Sequence, residues 1–261
     1  MVMRGSCISY ADIPEALGVL PGEVLYIGSD IRRLVFSCLR NREDFDVTAF
    51  IKAFMDRLGI EGVMLLPTFN WGFCRGEGFD YVHTPGMTGS MGNYALTIPG
   101  FKRTRHPIYS FAVYGRDRDL LCGLDNKDAF GPSSPFQYLF DADARHLSLG
   151  LDWPLTLTYI HHIEQISGKC RYRFHKDFSA PYTDESGATE LRTYSMFVRK
   201  HNTVFELERF REMVSPGLRP ERHHLNDTEF CFIRYREITD LSLGGSVDAA
   251  NCFSEIEREQ K

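Results

Sequence analysis

The sequence predicts an α/β fold, with a central mixed sheet flanked by helices. Segments with the periodicity of a strand alternate along the chain with segments that have the periodicity of a helix, and this alternation is typical of layered α/β folds. The 261 residues are 43% hydrophobic and 25% charged, which is ordinary for a globular protein. We therefore expect a single domain over residues 1–261, with a polar tail from about residue 250.

In the first part of the chain, the residues at the ends of each segment identify the elements. Pro14 suits the first turn of a short helix. Asp46 is a good N-cap for a segment with helical spacing of apolar residues, and Gly59 ends that segment. The predicted elements, in order, are a short helix over residues 12–17, a strand over 23–27, a helix over 46–58 and a buried strand over 62–69.

Residues 70–90 form a long Gly-rich stretch, and a loop of this length inside a compact domain usually binds a ligand. Strand and helix patterns alternate again beyond it. The predicted elements are a short helix from Ser90, a strand at 109–114, a helix at 134–140, a strand at 146–151, a helix at 155–167, a strand at 190–199, a helix at 204–213 and a strand at 229–236.

Composition excludes several classes of function. The net charge of −5 is small and the charges are mixed, so the sequence predicts no nucleic-acid partner. No apolar run approaches the roughly 18–20 residues that span a bilayer, and no signal peptide is evident, so we expect a cytoplasmic protein without membrane contact. The seven cysteines are scattered and form no CxxC pair, which indicates reduced thiols and no metal site.

His161 and Glu164 are the strongest candidates for chemistry. On a helix, positions three residues apart share a face, so these two side chains point the same way. An imidazole beside a carboxylate is the arrangement of a general base at neutral pH. The alternative is a histidine with only a packing role, which is the better explanation for His162, since it faces elsewhere.

Four groups of residues, in a fixed order over residues 22–165, resemble motifs of the aminoglycoside 3-N-acetyltransferase family, also called the antibiotic N-acetyltransferase family. They are Pro67-Thr68-Phe69; Phe79-Asp80 with Thr84-Pro85 and Met91-Gly92; Pro99-Gly100 with Arg103, His106-Pro107, Ser110-Phe111 and Gly115; and Leu149-Gly150 with Thr158, His161 and Glu164. The resemblance implies an antibiotic N-acetyltransferase-like fold.

The same resemblance implies an activity. Such proteins transfer an acetyl group from acetyl-CoA, the co-substrate, to an amine of an amino sugar, which is an aminoglycoside or a nucleotide-linked or surface-polysaccharide sugar. The family's general base falls on His161, with Glu164 as its partner. An alkylammonium must lose a proton before it attacks a thioester, and a histidine can take that proton directly. No metal is expected, and the expected partner is a small-molecule amine, with a homodimer left open.

Further site residues follow from the matched motifs. Coenzyme A carries phosphates that need cationic or backbone-amide recognition. We predict Ser29, Thr68, Arg103 and Ser110 on the cofactor side, and His106 and Asp80 on the substrate side. Solvated surface charge, structural hydrogen bonding and ordinary strand positions are the alternatives for these residues.

The sequence also departs from the family pattern. Gly28 stands where the family has a histidine, Tyr109 replaces a second histidine, and no acid occurs between residue 197 and Glu206 to support the base. The carboxyl-terminal part is basic instead, which favours an anionic or nucleotide-linked amino sugar over a polycation; its residues are Arg192, Arg199, Lys200, Arg209 and Arg211.

Two other functions remain open. One is a catalytically weak CoA-binding homologue, which the missing acid keeps plausible. The other is a hydrolase on the same scaffold, although the chain lacks the Gly-x-Ser-x-Gly nucleophile elbow.

Overall fold

The computed structural model describes residues 7–243 and 253–255, in which twelve strands form three sheets. The strands are β1 (Val24–Ser29), β2 (Val63–Pro67), β3 (Phe79–Asp80), β4 (Lys102–Arg103), β5 (Phe111–Gly115), β6 (Arg145–Leu149), β7 (Arg173–Thr183), β8 (Thr189–Arg199), β9 (Thr203–Phe205), β10 (Glu221–Leu225), β11 (Thr228–Arg234) and β12 (Phe253–Glu255).

Ten α-helices lie within the same described residues. They are α1 (Ile13–Ala16), α2 (Arg32–Arg40), α3 (Val47–Leu58), α4 (Met91–Ala95), α5 (Arg118–Gly123), α6 (Pro135–Asp141), α7 (Trp153–Thr156), α8 (Ile160–Ser167), α9 (Leu207–Val214) and α10 (Tyr235–Leu243). None of the helices in this part of the chain is long and apolar enough to cross a membrane.

The large sheet has seven strands in the order β10-β11-β6-β1-β2-β5-β4. Its centre, β6-β1-β2, is parallel, and the strands on either side pair antiparallel. The predicted central mixed sheet flanked by helices is confirmed.

Both faces of the central strands are covered, which is why β1 and β2 read as nearly continuous apolar runs. Side chains alternate between the two faces: Tyr26 belongs to the core under α6, α8 and α10, whereas Leu25 and Ile27 belong to the core under α1 to α4. Ligands of open α/β sheets bind beyond the carboxyl ends of such parallel strands, next to the strand where the connections reverse direction. Here that place is the edge where β1 and β6 end.

Two predicted helices are wrong in part. The helix predicted over residues 155–167 is broken into α7 and α8. Leu157 leaves the helical region, with φ −81° and ψ 59°, and the Thr156 hydroxyl hydrogen-bonds the carbonyl of Trp153 and the hydroxyl of Ser148. The helix predicted from residue 204 begins at Leu207, because residues 203–205 pair with β12 instead.

The strongest local signals were correct. Asp46 accepts hydrogen bonds from the amides of Thr48 and Ala49 at the start of α3, and Gly59 follows the helix with φ +66°. The sequence did not reveal α2, α5, β7 or β10, nor the short strands β3, β4, β9 and β12. The strand predicted to residue 236 ends at Arg234, where α10 takes over. Apart from residues 253–255, which form β12, the tail predicted from about residue 250 lies outside the described residues.

Candidate active site

Gly150 brings the carboxyl ends of β6 and β1 together. It has φ +70°, and a Cβ at this position would lie 2.1 Å from the carbonyl oxygen of Asp30. Only glycine allows this approach. The chain then turns through α7 into α8, so that the loop after β6 and the start of α8 border the carboxyl edge of the sheet.

On α8, Glu164 is the centre of a buried charged group. Its side chain is 0% exposed, and one of its oxygens, Oε2, lies 3.0 Å from Nδ1 of His161 and 2.6 Å from Nε of Arg173. The other oxygen accepts a 2.5 Å hydrogen bond from the hydroxyl of Tyr172. An ionised carboxylate only accepts hydrogen bonds, so Nδ1 of His161 carries the proton and Nε2 holds the lone pair. The predicted register of His161 and Glu164 is thus present.

The surroundings keep His161 neutral. Burial lowers the pKa of its imidazole, the Arg173 cation lowers it further, and Glu164 opposes both. Burial alone would raise the pKa of Glu164, but His161, Arg173 and Tyr172 together hold it below its usual value. A neutral imidazole beside an ionised carboxylate is the protonation state that a general base needs.

His161 lies in the wall of a cavity of about 360 Å³ and is 22% exposed. Nη2 of Arg173 stands 3.4 Å from Nε2 of His161. The cavity is lined by apolar residues together with two arginines; its lining is Pro154, Leu155, Leu157, Thr158, Ile160, His161, Arg173 and Arg199. This volume suits a group the size of a sugar ring, presented to the imidazole.

A second cavity, of about 380 Å³, contains Ser29. The backbone of Gly89 lies close to Ser29: a Cβ at Gly89 would be 2.9 Å from the carbonyl oxygen of Ser29. Leu151 lines this cavity, whereas Pro154 and Leu155 of α7 line the His161 cavity, so the segment from Leu151 to α7 borders both. The full lining is Ser29, Asp30, Ile31, Arg32, Gly89, Ser90 and Leu151.

Arg103, Thr68 and Ser110 form one buried network rather than an open binding surface. The guanidinium of Arg103 is 2% exposed and donates to the Ser110 hydroxyl and to the carbonyls of Thr68, Tyr81 and Thr84. The hydroxyls of Thr68 and Ser110 lie 2.8 Å apart. These contacts favour a structural role: the network fastens the loop after β3 to the ends of β2 and β5.

His106 and Asp80 are likewise engaged with the backbone. Nδ1 of His106 accepts from the amides of Ile108 and Tyr109, and burial lowers the pKa of this imidazole to about 3. Asp80 accepts from the amides of Val82 and His83, and these bonds hold its pKa below the usual value. Neither residue lines the His161 cavity.

Sequence reasoning missed Tyr172 and Arg173. Arg173 begins β7, a strand that the sequence did not reveal, and Tyr172 directly precedes it. Both contact Glu164 only because that strand lies against α8. Of the basic residues that the sequence singled out, Arg199 lines the His161 cavity, whereas Arg192, Arg209 and Arg211 form ion pairs with Glu190, Glu206 and Asp152 respectively.

Other catalytic groups find no support in the described part of the chain. No group of three or more histidine, cysteine or acidic side chains there could hold a metal ion. Burial raises the pKa of the thiols of Cys38, Cys122 and Cys231 to between about 11 and 12, and no cysteine lines either cavity. An activated thiolate nucleophile is therefore not present at this site.

Comparison with known proteins identifies relatives of the chain. The family model described as aminoglycoside 3-N-acetyltransferase matches residues 23–242. A search of curated proteins by sequence finds no match.

Solved structures have the same fold. AAC-VIa bound to sisomicin is 18% identical, with a TM-score of 0.74 over 91% of this chain and 97% of that one. AAC-IIIb in a binary complex with CoASH is 20% identical, with a TM-score of 0.71 over 90% and 94%. The YokD protein from Bacillus subtilis is 18% identical, with a TM-score of 0.69 over 90% and 96%.

Proposed function

Because the chain belongs to the aminoglycoside 3-N-acetyltransferase family, we propose that it acetylates an amine of an amino sugar with His161 as the general base. Membership makes it an acetyl-CoA-dependent N-acetyltransferase. The observation that carries the proposal is the neutral imidazole of His161, held through Nδ1 by the buried Glu164, in the wall of a sugar-sized cavity.

The proposed reaction is a direct transfer. The amine nitrogen attacks the carbonyl carbon of the thioester while Nε2 of His161 takes the proton that the nitrogen loses. As the carbon–sulfur bond breaks, the imidazolium returns that proton to the departing thiolate. Glu164 keeps the ring in one tautomer and stabilises the imidazolium between these two steps, as the carboxylate does in other histidine-based sites.

We further propose that the Ser29 cavity receives part of the coenzyme. One relative is known in complex with CoASH. The cavity lies beyond the carboxyl end of β1, is lined by Ser29 and Ser90, and is bordered by Leu151, which directly precedes the segment that lines the His161 cavity. Its position agrees with the general placement of ligands in open α/β sheets.

The general base is tested by a CoA-release assay over a panel of amino sugars. We expect His161→Ala to lower kcat by about 10²–10⁴-fold, the usual contribution of one general base. His224→Ala is the control, since His224 is exposed on the edge strand β10. A His161→Ala variant with nearly normal kcat would contradict the assignment.

The same assay separates the remaining alternatives. CoA release without an acetylated amine would indicate a thioester hydrolase. Binding of acetyl-CoA without CoA release for any amine would indicate a catalytically weak CoA-binding homologue.

The coenzyme site needs its own variant. Removal of the Ser29 hydroxyl deletes one polar contact in the second cavity, so we expect Ser29→Ala to raise KM for acetyl-CoA several-fold and leave KM for the amine unchanged. Ser186→Ala, in the exposed turn between β7 and β8, is the control. An unchanged KM for acetyl-CoA would remove Ser29 from the coenzyme site.

A further inference from the structure

Two arginines of the His161 cavity are paired across a hairpin. Arg173 on β7 and Arg199 on β8 are direct partners in the antiparallel register, and like charges in such a pair repel each other. Directly opposed like charges destabilise a sheet unless a nearby opposite charge compensates them, so the two positive charges at this end of the hairpin need an explanation.

Glu164 compensates only part of the positive charge of these two arginines. Arg173 is 8% exposed and forms its ion pair with Glu164, which also holds His161. Arg199 lines the same cavity and, within the described residues, has no acidic side chain in ion-pair range. None of the described residues that line the cavity is acidic. Among the described residues, two guanidinium groups therefore face the one carboxylate of Glu164, and this part of the cavity wall carries a positive excess.

This excess determines what the cavity can accept. These arginines repel a polycation, and no carboxylate among the described lining residues offsets the repulsion. A carboxylate or phosphate is attracted, and a guanidinium presents donors in the fork geometry that these groups match. Screening by water is reduced at the largely buried side chain of Arg173, whereas Arg199 is exposed and accessible to an incoming anion.

We propose that the acceptor carries an anionic group, a carboxylate or a phosphate, which binds at Arg199 beside Arg173 while its amine faces His161. This inference rests on the proposed acetyl transfer and names the acceptor class of the same site. A further consequence concerns the amine itself: the nearby cations disfavour its ammonium form, so the neutral, nucleophilic form is the one that binds beside His161.

Acceptors that share one skeleton test the proposal. Glucosamine, glucosamine 6-phosphate and glucosaminuronic acid differ in carrying no anion, a phosphate or a carboxylate. We expect at least one anionic acceptor to exceed glucosamine in kcat/KM by about 10–100-fold, as a charge-assisted contact would give. Comparison of glucosamine 6-phosphate with glucosaminuronic acid shows whether the site prefers a phosphate or a carboxylate, and a preference for either supports the proposal.

Variants connect this preference to the cavity. Arg199→Gln should bring the ratio of kcat/KM for the anionic and neutral acceptors close to one, and Arg199→Lys should retain part of it. Lys200→Gln removes the same charge from the next residue, which does not line the cavity, and should keep the ratio.

Binding is measured separately from turnover. Calorimetric titration of the wild type and of Arg199→Gln with glucosamine 6-phosphate, glucosaminuronic acid and glucosamine, in the presence of CoA, needs no chemistry. Tighter binding of an anionic sugar that Arg199→Gln abolishes supports the subsite even if no amine is acetylated, which would overturn only the proposed function. Equal affinities for all three sugars, or faster turnover of polycationic aminoglycosides than of the anionic sugars, would overturn the subsite and leave acetyl transfer intact.

Discussion

At the scale of single residues, Glu164 is the shared partner of three side chains of the site. It holds the imidazole of His161, the hydroxyl of Tyr172 and the guanidinium of Arg173 while fully buried itself. A buried carboxylate is stable only with such partners, and loss of its charge leaves Arg173 buried without its counter-charge. These contacts support the proposal that Glu164 is the carboxylate that assists His161, in place of the acid that is missing between residue 197 and Glu206.

Replacement of Glu164 by glutamine tests this role through pH. Activity of the wild type should fall as the pH decreases through the pKa of His161, which lies below the ordinary value of about 6.5. Glu164 raises this pKa, so Glu164→Gln should move the acidic limb of the kcat profile to lower pH. It should also reduce kcat about 10-fold or more, because the ring loses its orientation.

The matched control is Glu208→Gln, an exposed carboxylate on α9. Its profile should overlay the wild type. An acidic limb that stays in place in Glu164→Gln would show that another group controls the pH dependence.

At the scale of elements, α7 is fixed against the sheet by a close contact. A Cβ at Gly28 on β1 would lie 2.7 Å from Cβ of Thr156, the last residue of α7. Thr156 also hydrogen-bonds Nε2 of the buried His146, whose Nδ1 meets the hydroxyl of Tyr235. The absence of a side chain at Gly28, where the family has a histidine, therefore lets α7 reach this polar core and form one wall of the cavity.

Gly28→Ala should push α7 outward. We expect a loss of about 1–3 kcal/mol in the free energy of unfolding, as for other overpacked cores, together with a lower kcat/KM for the amine. Urea unfolding and the CoA-release assay measure the two effects. Gly123→Ala is the control, since a Cβ there meets nothing within 4 Å. A Gly28→Ala protein of normal stability and activity would show that α7 is not held in this way.

At the scale of the whole molecule, buried neutral histidines make stability depend on pH. Burial lowers the pKa of His106 and His146 to about 3 in the folded state, against about 6.5 when unfolded. Between these values the unfolded chain binds more protons, so the free energy of unfolding is greatest above pH 6.5 and decreases as the pH falls towards 3.

His106→Asn isolates one of these contributions. The asparagine oxygen can accept from the amides of Ile108 and Tyr109 but does not titrate in this range. We expect lower stability at pH 7 and a shallower decline between pH 6.5 and 4 than in the wild type, measured by urea unfolding at several pH values. An equally steep decline would assign the acid sensitivity to other groups. His224→Ala, at an exposed site, should leave the slope unchanged.

Signals that depend on neighbouring residues predicted much of this architecture. The cap at Asp46, the stop at Gly59 and the register of His161 with Glu164 are local, and the ordered motifs led to the family that the comparison confirms. Burial and long-range pairing are not local. Arg103 was predicted to bind the coenzyme because the carbonyl groups that accept its hydrogen bonds come from distant segments and cannot be recognised in the sequence. Arg173 contacts Glu164 only in the folded protein, where the eleven-residue strand β7 lies against α8.

The β7–β8 hairpin belongs to a different sheet from the one whose edge presents the two cavities. The proton-transfer group is anchored on α8, whereas Arg199 occupies the exposed end of β8. The acceptor contact proposed at Arg199 and the proton-transfer group at His161 thus lie on separate structural units, and Arg173, which pairs with Glu164, connects them. A substitution at Arg199 changes the proposed acceptor contact and leaves the hydrogen bond between His161 and Glu164 in place, which gives such a scaffold a short mutational route to new specificity.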